Sequence, residues 1–170
     1  MTHRPYVPFP DPVLKAKAVE VEAVTDEVRA IWDEMLAAMY AMPGVGTAAP
    51  QLGIGLRLAV MDCSPGKDQP VRLANPEILW ASEQTSSFEE ASPNLPGASA
   101  WIDRPAEVEV RFLDESGEVV EQRFSDLWAT SVQHQIDHLN GMLFFDRLSN
   151  LKRRRLLEAH RKQKRKQGKR

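Results

Sequence analysis

Gln133-His134-Gln135-Ile136-Asp137-His138-Leu139-Asn140-Gly141 is the stretch on which the reading of this chain turns. It closes a run from Asp126 to Asn140 that reads as a helix, with Ser125 placed to cap its start and Gly141 in the position that ends helices. His134 and His138 stand four residues apart, so both imidazoles lie on one helical face, where they can share a metal. Spacing alone leaves the alternative open that these are two packed or surface histidines.

Upstream of this helix the pattern is mixed. Val28, Ile31, Trp32, Met35, Leu36 and Met39 recur at spacings of three and four, which predicts a helix from Asp26 to Met42, capped by Thr25 and ended by Pro43-Gly44. Leu58-Ala59-Val60-Met61 is an apolar run suited to a buried strand, and Cys63, just past it, reads as a buried, inert thiol. Val71 to Ala74 and Ile78 to Trp80 are two shorter strand candidates. Val108, Val110 and Phe112 alternate with charged residues, and Asp114-Glu115-Ser116-Gly117 turns that strand into a second, Val119 to Phe124. Leu151 to Gln167 reads as a third helix, anchored by Leu151, Leu156 and Leu157. Strands followed by helices in this order give an α+β class.

Length and composition set the remaining bounds. The 170 residues suit one domain, and 42% hydrophobic with 27% charged residues excludes a wholly disordered chain. No apolar stretch is long enough to cross a membrane, and Met1 to Pro12 carries four prolines rather than a signal-peptide core. A single cysteine excludes an intramolecular disulfide and multi-cysteine metal sites. A cytoplasmic protein is the expectation. The net charge of −2 hides an asymmetry: residues 151–170 hold 11 Lys/Arg against one acid, a net of +10, which leaves −12 on residues 1–150. We therefore divide the chain into a body, residues 1–150, and a basic carboxyl-terminal helix, residues 151–170. Such an arm is a candidate for a polyanionic partner, set against the alternative of a solvated, partly disordered tail.

The histidine stretch resembles the third motif of the peptide deformylase family, with the family's glutamate replaced by Gln135. Gly44-Val45-Gly46-Thr47-Ala48-Ala49-Pro50-Gln51 resembles the first motif, a glycine loop ending in a functional glutamine. Glu89-Glu90-Ala91-Ser92-Pro93-Asn94-Leu95-Pro96 falls where the second motif belongs, which runs Glu-Gly-Cys-Leu-Ser, a hydrophobic residue, then Pro. The resemblance extends from the amino terminus to about residue 150. It implies an α+β peptide-deformylase-like fold, with β-sheets around the motif-bearing helix. It also implies a metallohydrolase that removes the formyl group from N-formylmethionine on nascent chains. The family's metal is Fe2+ or a substitute such as Ni2+ or Zn2+, held by two histidines and a cysteine.

Carried over residue by residue, the resemblance makes His134, His138 and Ser92 the metal positions. Gln135 takes the place of the general base, and Gln51 with the backbone at Pro93 takes the place of the oxyanion donors. Gly44 and Gly46 are expected to permit close backbone approach beside the site. Three of these positions depart from the family. Ser92 offers a hydroxyl where the family has a thiolate, so metal binding is expected to be weak or substoichiometric. Gln135 cannot accept a proton. Pro93 has no backbone N–H to donate. Ordinary deformylase activity is therefore expected to be impaired, against the alternative of an active amide hydrolase with an altered metal site. Arg104 is a candidate partner for Asp137, which alternatively is a solvated surface carboxylate. Trp101, on the strand expected to line the cleft, either fills a pocket or packs on the surface. The family's basic terminal helix docks on the ribosome. By that resemblance Arg153, Arg154, Arg155, Arg161, Lys162, Lys164, Arg165 and Lys166 are candidate contacts to ribosomal RNA.

Overall fold

The computed structural model describes residues 3–169. Its helices are α1 (Asp26–Ala41), α2 (Asp126–Leu139) and α3 (Asn150–Gln167). Its strands are β1 (Gly46–Ala48), β2 (Leu58–Met61), β3 (Val71–Ala81), β4 (Thr85–Ala91), β5 (Ser99–Pro105), β6 (Glu107–Leu113) and β7 (Val119–Ser125). One antiparallel sheet has the order β1-β2-β3-β6-β7, and β4 and β5 pair as a separate ribbon.

The period of two in β2 sets the layering. Leu58 and Val60 pack with Trp32, Met35 and Met39 of α1 on one face of the sheet. Ala59 and Met61 pack with Ala129, Val132 and Ile136 of α2 on the other. Each fully buried large side chain contributes about 1.5–3 kcal/mol, so an all-apolar β2 holds both helices at once. The β4–β5 ribbon also contacts α2, leaving that helix between the sheet and the ribbon. This is the expected arrangement of sheets around the histidine-bearing helix.

Local signals explain most boundaries. The Thr25 hydroxyl accepts the Val28 N–H at 3.3 Å. Gly141 ends α2 with φ +79°, where a Cβ would lie 2.5 Å from the Lys15 carbonyl oxygen, so only glycine fits. Ser125 occupies the N-cap position of α2, but its side chain makes no capping bond, contrary to expectation. The two short runs at residues 71–74 and 78–80 form one strand, β3. Asn75 sits at φ +50° and exchanges side-chain hydrogen bonds of 2.9 and 2.8 Å with the Val21 backbone, absorbing the break as a register shift.

The third helix packs against the body through Leu156 and Leu157, which join Leu14, Leu95, Phe144 and Phe145. Leu151, expected as part of that anchor, is 54% exposed. Among the described residues no helix is long and apolar enough to cross a membrane.

Candidate active site

The two histidines meet in the last two turns of α2. His134 Nε2 and His138 Nε2 are 3.1 Å apart, and both rings are buried. Behind them the Glu90 carboxylate, at the end of β4, accepts the His134 Nδ1–H at 2.8 Å. In neutral His134 that bond places the ring hydrogen on Nδ1, and the hydrogen between the two Nε2 atoms then belongs to His138. His138 Nδ1 is then a buried acceptor with no partner. Burial, followed by the charges of His134 and Arg104, pushes the His138 pKa well below the ordinary histidine value.

Glu90 is itself gripped. Arg104, on β5, donates to both of its oxygens at 2.7 and 2.9 Å and to Asp137 Oδ2 at 2.9 Å. Arg147 closes the chain with bonds of 2.9 and 2.6 Å to Asp137. Burial alone would raise the Glu90 pKa, but His134 and Arg104 outweigh it and hold the carboxyl below its ordinary value. Two carboxylates face two guanidiniums, which is the condition under which buried charge is tolerated. Asp137 is therefore the buried partner of Arg104 rather than a solvated carboxylate.

The residues at the third metal position have different chemistry. Imidazole nitrogens about 2.0–2.1 Å from a tetrahedral metal lie about 3.3 Å apart, so His134 and His138 are spaced for two corners. Ser92 is bonded elsewhere. Its hydroxyl donates to Asn94 Oδ1 at 2.9 Å and accepts from Gln51 Nε2 at 3.2 Å. Among the described residues no group of three or more His, Cys, Asp or Glu is placed to hold a metal ion. The donor set does not fit a resident three-ligand metal centre. Cys63 does not complete it, since its thiol faces the Val45 carbonyl at 3.9 Å, and burial pushes its pKa up to about 11.

Gln51, Ser92 and Asn94 form a closed lattice. Gln51 Oε1 accepts the Ala48 N–H at 2.9 Å, and its Nε2 donates to Ser92 Oγ and, at 2.9 Å, to Asn94 Oδ1. Asn94 Nδ2 donates to the carbonyls of Val7 at 2.6 Å and Gln51 at 3.0 Å.

In front of these groups lies a cavity of about 250 Å³. Its walls include Val45, Gly46, Phe88, Pro93, His134 and Gln135. Gly46 lies close against that wall: a Cβ there would crowd Gln135 Nε2 and Ser131 Oγ and force those side chains to shift. Gly44 does not, since its Cβ would make only ordinary contacts at 3.7 Å and beyond. Gln135 Oε1 is buried with no hydrogen-bond partner. Trp101 is 66% exposed and does not line the cavity.

The sequence-derived site residues thus converge, except for Trp101 and the arm. Arg154, Arg155, Arg161, Lys162, Lys164, Arg165 and Lys166 are exposed on α3, away from the cavity. Arg153 is half-buried instead, paired with Asp146 at 3.1 Å and stacked over Phe145. Sequence reasoning missed the roles of Glu90, Asn94 and Arg147. An acid two residues before the Ser92 position was the signal available for Glu90.

Known proteins share this architecture and this sequence. A family model described as polypeptide deformylase matches residues 3–154. The peptide deformylase of Phenylobacterium zucineum is 44% identical over 164 residues, covering 95% of this chain and 97% of that protein. The crystal structure of a peptide deformylase from Legionella pneumophila superposes with a TM-score of 0.90 at 37% identity over 99% of both chains. That of Ehrlichia chaffeensis in complex with actinonin gives 0.89 at 32% identity, over 97% of this chain and 99% of that one. With its two motif histidines on α2 and its glycine loop against Gln135, the chain belongs to the peptide deformylase family.

Proposed function

We propose that this chain keeps the family's pocket for a formylated methionyl amino terminus but lacks ordinary deformylase chemistry, and that it acts at the ribosome through α3. The observation that carries the reading is the chemistry of Ser92, Pro93 and Gln135, the three positions where metal, oxyanion and proton would be handled. A serine hydroxyl is a far weaker acid than a thiol, whose ordinary pKa is about 8.5, so it does not replace a thiolate ligand near neutrality. A carboxamide holds a water but takes no proton, and general acid–base catalysis is typically worth about 10²–10⁴ in rate. The missing N–H at Pro93 costs on the order of 10²–10³ in kcat. These losses strike separate requirements.

Ribosome binding rests on the charge of α3, whose exposed basic side chains occupy both its first turns and its distal half. The second reading, an amide hydrolase with an altered metal site, is favoured by the intact Glu90–His134 orientation and by the close similarity to proteins named peptide deformylase. A deformylase assay on a formyl-methionyl peptide, with Fe2+, Ni2+ and Zn2+ supplied in turn, decides between them. The expected result is turnover near background with every metal. Turnover at about 1–10³ per second, ordinary for enzymes, overturns the reading of lost chemistry.

A further inference from the structure

The lattice at the cavity wall uses every hydrogen-bonding group that it contains. A primary amide has two N–H donors and an oxygen with two lone pairs. Asn94 places both donors on the Val7 and Gln51 carbonyls, and its oxygen accepts from Gln51 Nε2 and Ser92 Oγ. Gln51 has its oxygen on the Ala48 N–H, and its Nε2 donates to Ser92 Oγ and Asn94 Oδ1. Gln51 lines the cavity and is 1% exposed, yet every bond that its Nε2 makes is to an atom of the lattice.

We propose that Asn94 is a positioning residue that withdraws Gln51 from the cavity, so that the retained glutamine is no longer an available oxyanion donor. The family's second motif has serine at this position. A serine hydroxyl is too short to span Val7 O, Gln51 O and Gln51 Nε2 together, whereas the asparagine amide reaches all three. The loss at Pro93 is therefore matched by a second one, at a residue that reads from sequence as intact. This rests on the reading of lost chemistry. It makes a sharper claim: restoring Cys, Glu and Leu at positions 92, 135 and 93 is insufficient while Asn94 holds Gln51.

Two measurements test it. In the unmodified protein, the Gln51 side-chain amide resonances in 15N NMR should be protected from exchange and unmoved by a saturating formyl-methionyl peptide. In Asn94→Ser one of them should become exchangeable and shift when that peptide is added. The second measurement is kinetic, in a Ser92→Cys, Gln135→Glu, Pro93→Leu background. Adding Asn94→Ser should raise kcat by about 10²-fold at nearly constant KM, the signature of a donor acting only in the transition state. A general loosening of the loop would move stability and KM instead. A Gln51 amide that already responds to peptide in the unmodified protein overturns the proposal. So does a triple variant as fast as the quadruple one. If the unmodified protein itself proves to be an efficient deformylase, the reading of lost chemistry fails, and the Gln51 resonances still report separately on Asn94.

Discussion

Glu90 and Ser92 stand two residues apart where β4 ends, and they face different tasks. Glu90 belongs to a charged apparatus that orients a histidine: Arg104, Asp137 and Arg147 are matched around it at 2.6–2.9 Å. Ser92 belongs to a neutral lattice of hydroxyl and amides that bond one another. The first arrangement holds its side chains ready for a ligand in front of them. The second has its polar side chains bonded to one another and to backbone. On the function proposed above, the family's scaffold and its reactive atoms are separable, because the scaffold is fixed by buried charge and packing while reactivity depends on a few atoms facing the cavity.

The sharpest way to break this contrast is to attack the charged side. Arg104 is 2% exposed and serves two buried carboxylates. Arg104→Leu should leave Glu90 with His134 alone and Asp137 with Arg147 alone, costing about 3–5 kcal/mol, the usual penalty for stripping one partner from a buried pair. Urea unfolding measures it, and a loss under 1 kcal/mol would show that the network is ornamental.

That network also marks the limit of what the sequence discloses. The spacing of Val28, Trp32, Met35 and Met39 and the run Leu58–Met61 are local signals, and α1 and β2 appear where they were expected. The β4–β5 ribbon escaped the strand reading because Thr85–Ala91 buries only Glu90, with no apolar alternation to detect. Its position rested on motif resemblance instead. His134, His138, Ser92 and Gln51 were found by type and order along the chain. Glu90, Arg147 and Asn94 were not, because the partners that define their roles lie 10 to 87 residues away and are set by tertiary packing, Ser92 beside Asn94 excepted. Motif matching identifies Gln51, but only the fold shows which atoms its amide bonds.

The neutral side gives the next prediction. With Ser92 in place, purified protein should hold well under one metal per chain, and a chelator should leave its melting temperature unchanged. Ser92→Cys supplies a thiolate beside two imidazoles already set near a tetrahedral edge, so its metal content should approach stoichiometry and chelation should lower its melting temperature. Elemental analysis and thermal melts read both arms. Stoichiometric zinc, nickel or iron retained by the unmodified protein through dialysis would erase the difference between Glu90 and Ser92.

The arm repeats the contrast at the surface, with anchoring residues on one face and free charge on the rest. Removing residues 151–170 would also strip Leu156 and Leu157 from the core, so neutralisation is the cleaner test. Changing Arg161, Lys162, Arg165 and Lys166 together to Gln leaves that anchor intact. For ribosomal RNA the slope of log K against log salt should shrink in magnitude by about 3, given ~0.7–0.9 per phosphate contact. Arg153→Gln should change the slope little, since its guanidinium already faces Asp146. An unchanged slope in the fourfold variant would remove the arm from the proposed function.

The smallest effect expected is a proton-linked loosening of α3. His160 is 7% exposed, neither ring nitrogen makes a well-formed hydrogen bond, and it faces Gly97, Ala98 and Ser99 across the seam. Burial, then the charge of Lys164, lowers its pKa from 6.5, and the opposing pull of the Pro96 carbonyl is outweighed. An unfolded or undocked His160 regains an ordinary pKa near 6.5 and takes up a proton that the docked one resists. Between the depressed docked value and 6.5 the undocked state binds more protons, so docking is full above that window and weakens as pH falls through it. His138 has the same sign, but it is buried within α2 and acts on the stability of the body. Hydrogen exchange separates the two. Amides of residues 156–167 should exchange faster at pH 5.5 than at 7.5, after correction for intrinsic rates, while those of α1 change less. His160→Leu should abolish the difference in α3 alone. If α3 in that variant still loosens at acid pH, the proton acts elsewhere, and the seam at Gly97–Ser99 is held by Leu156, Leu157 and Gln163 without regard to charge.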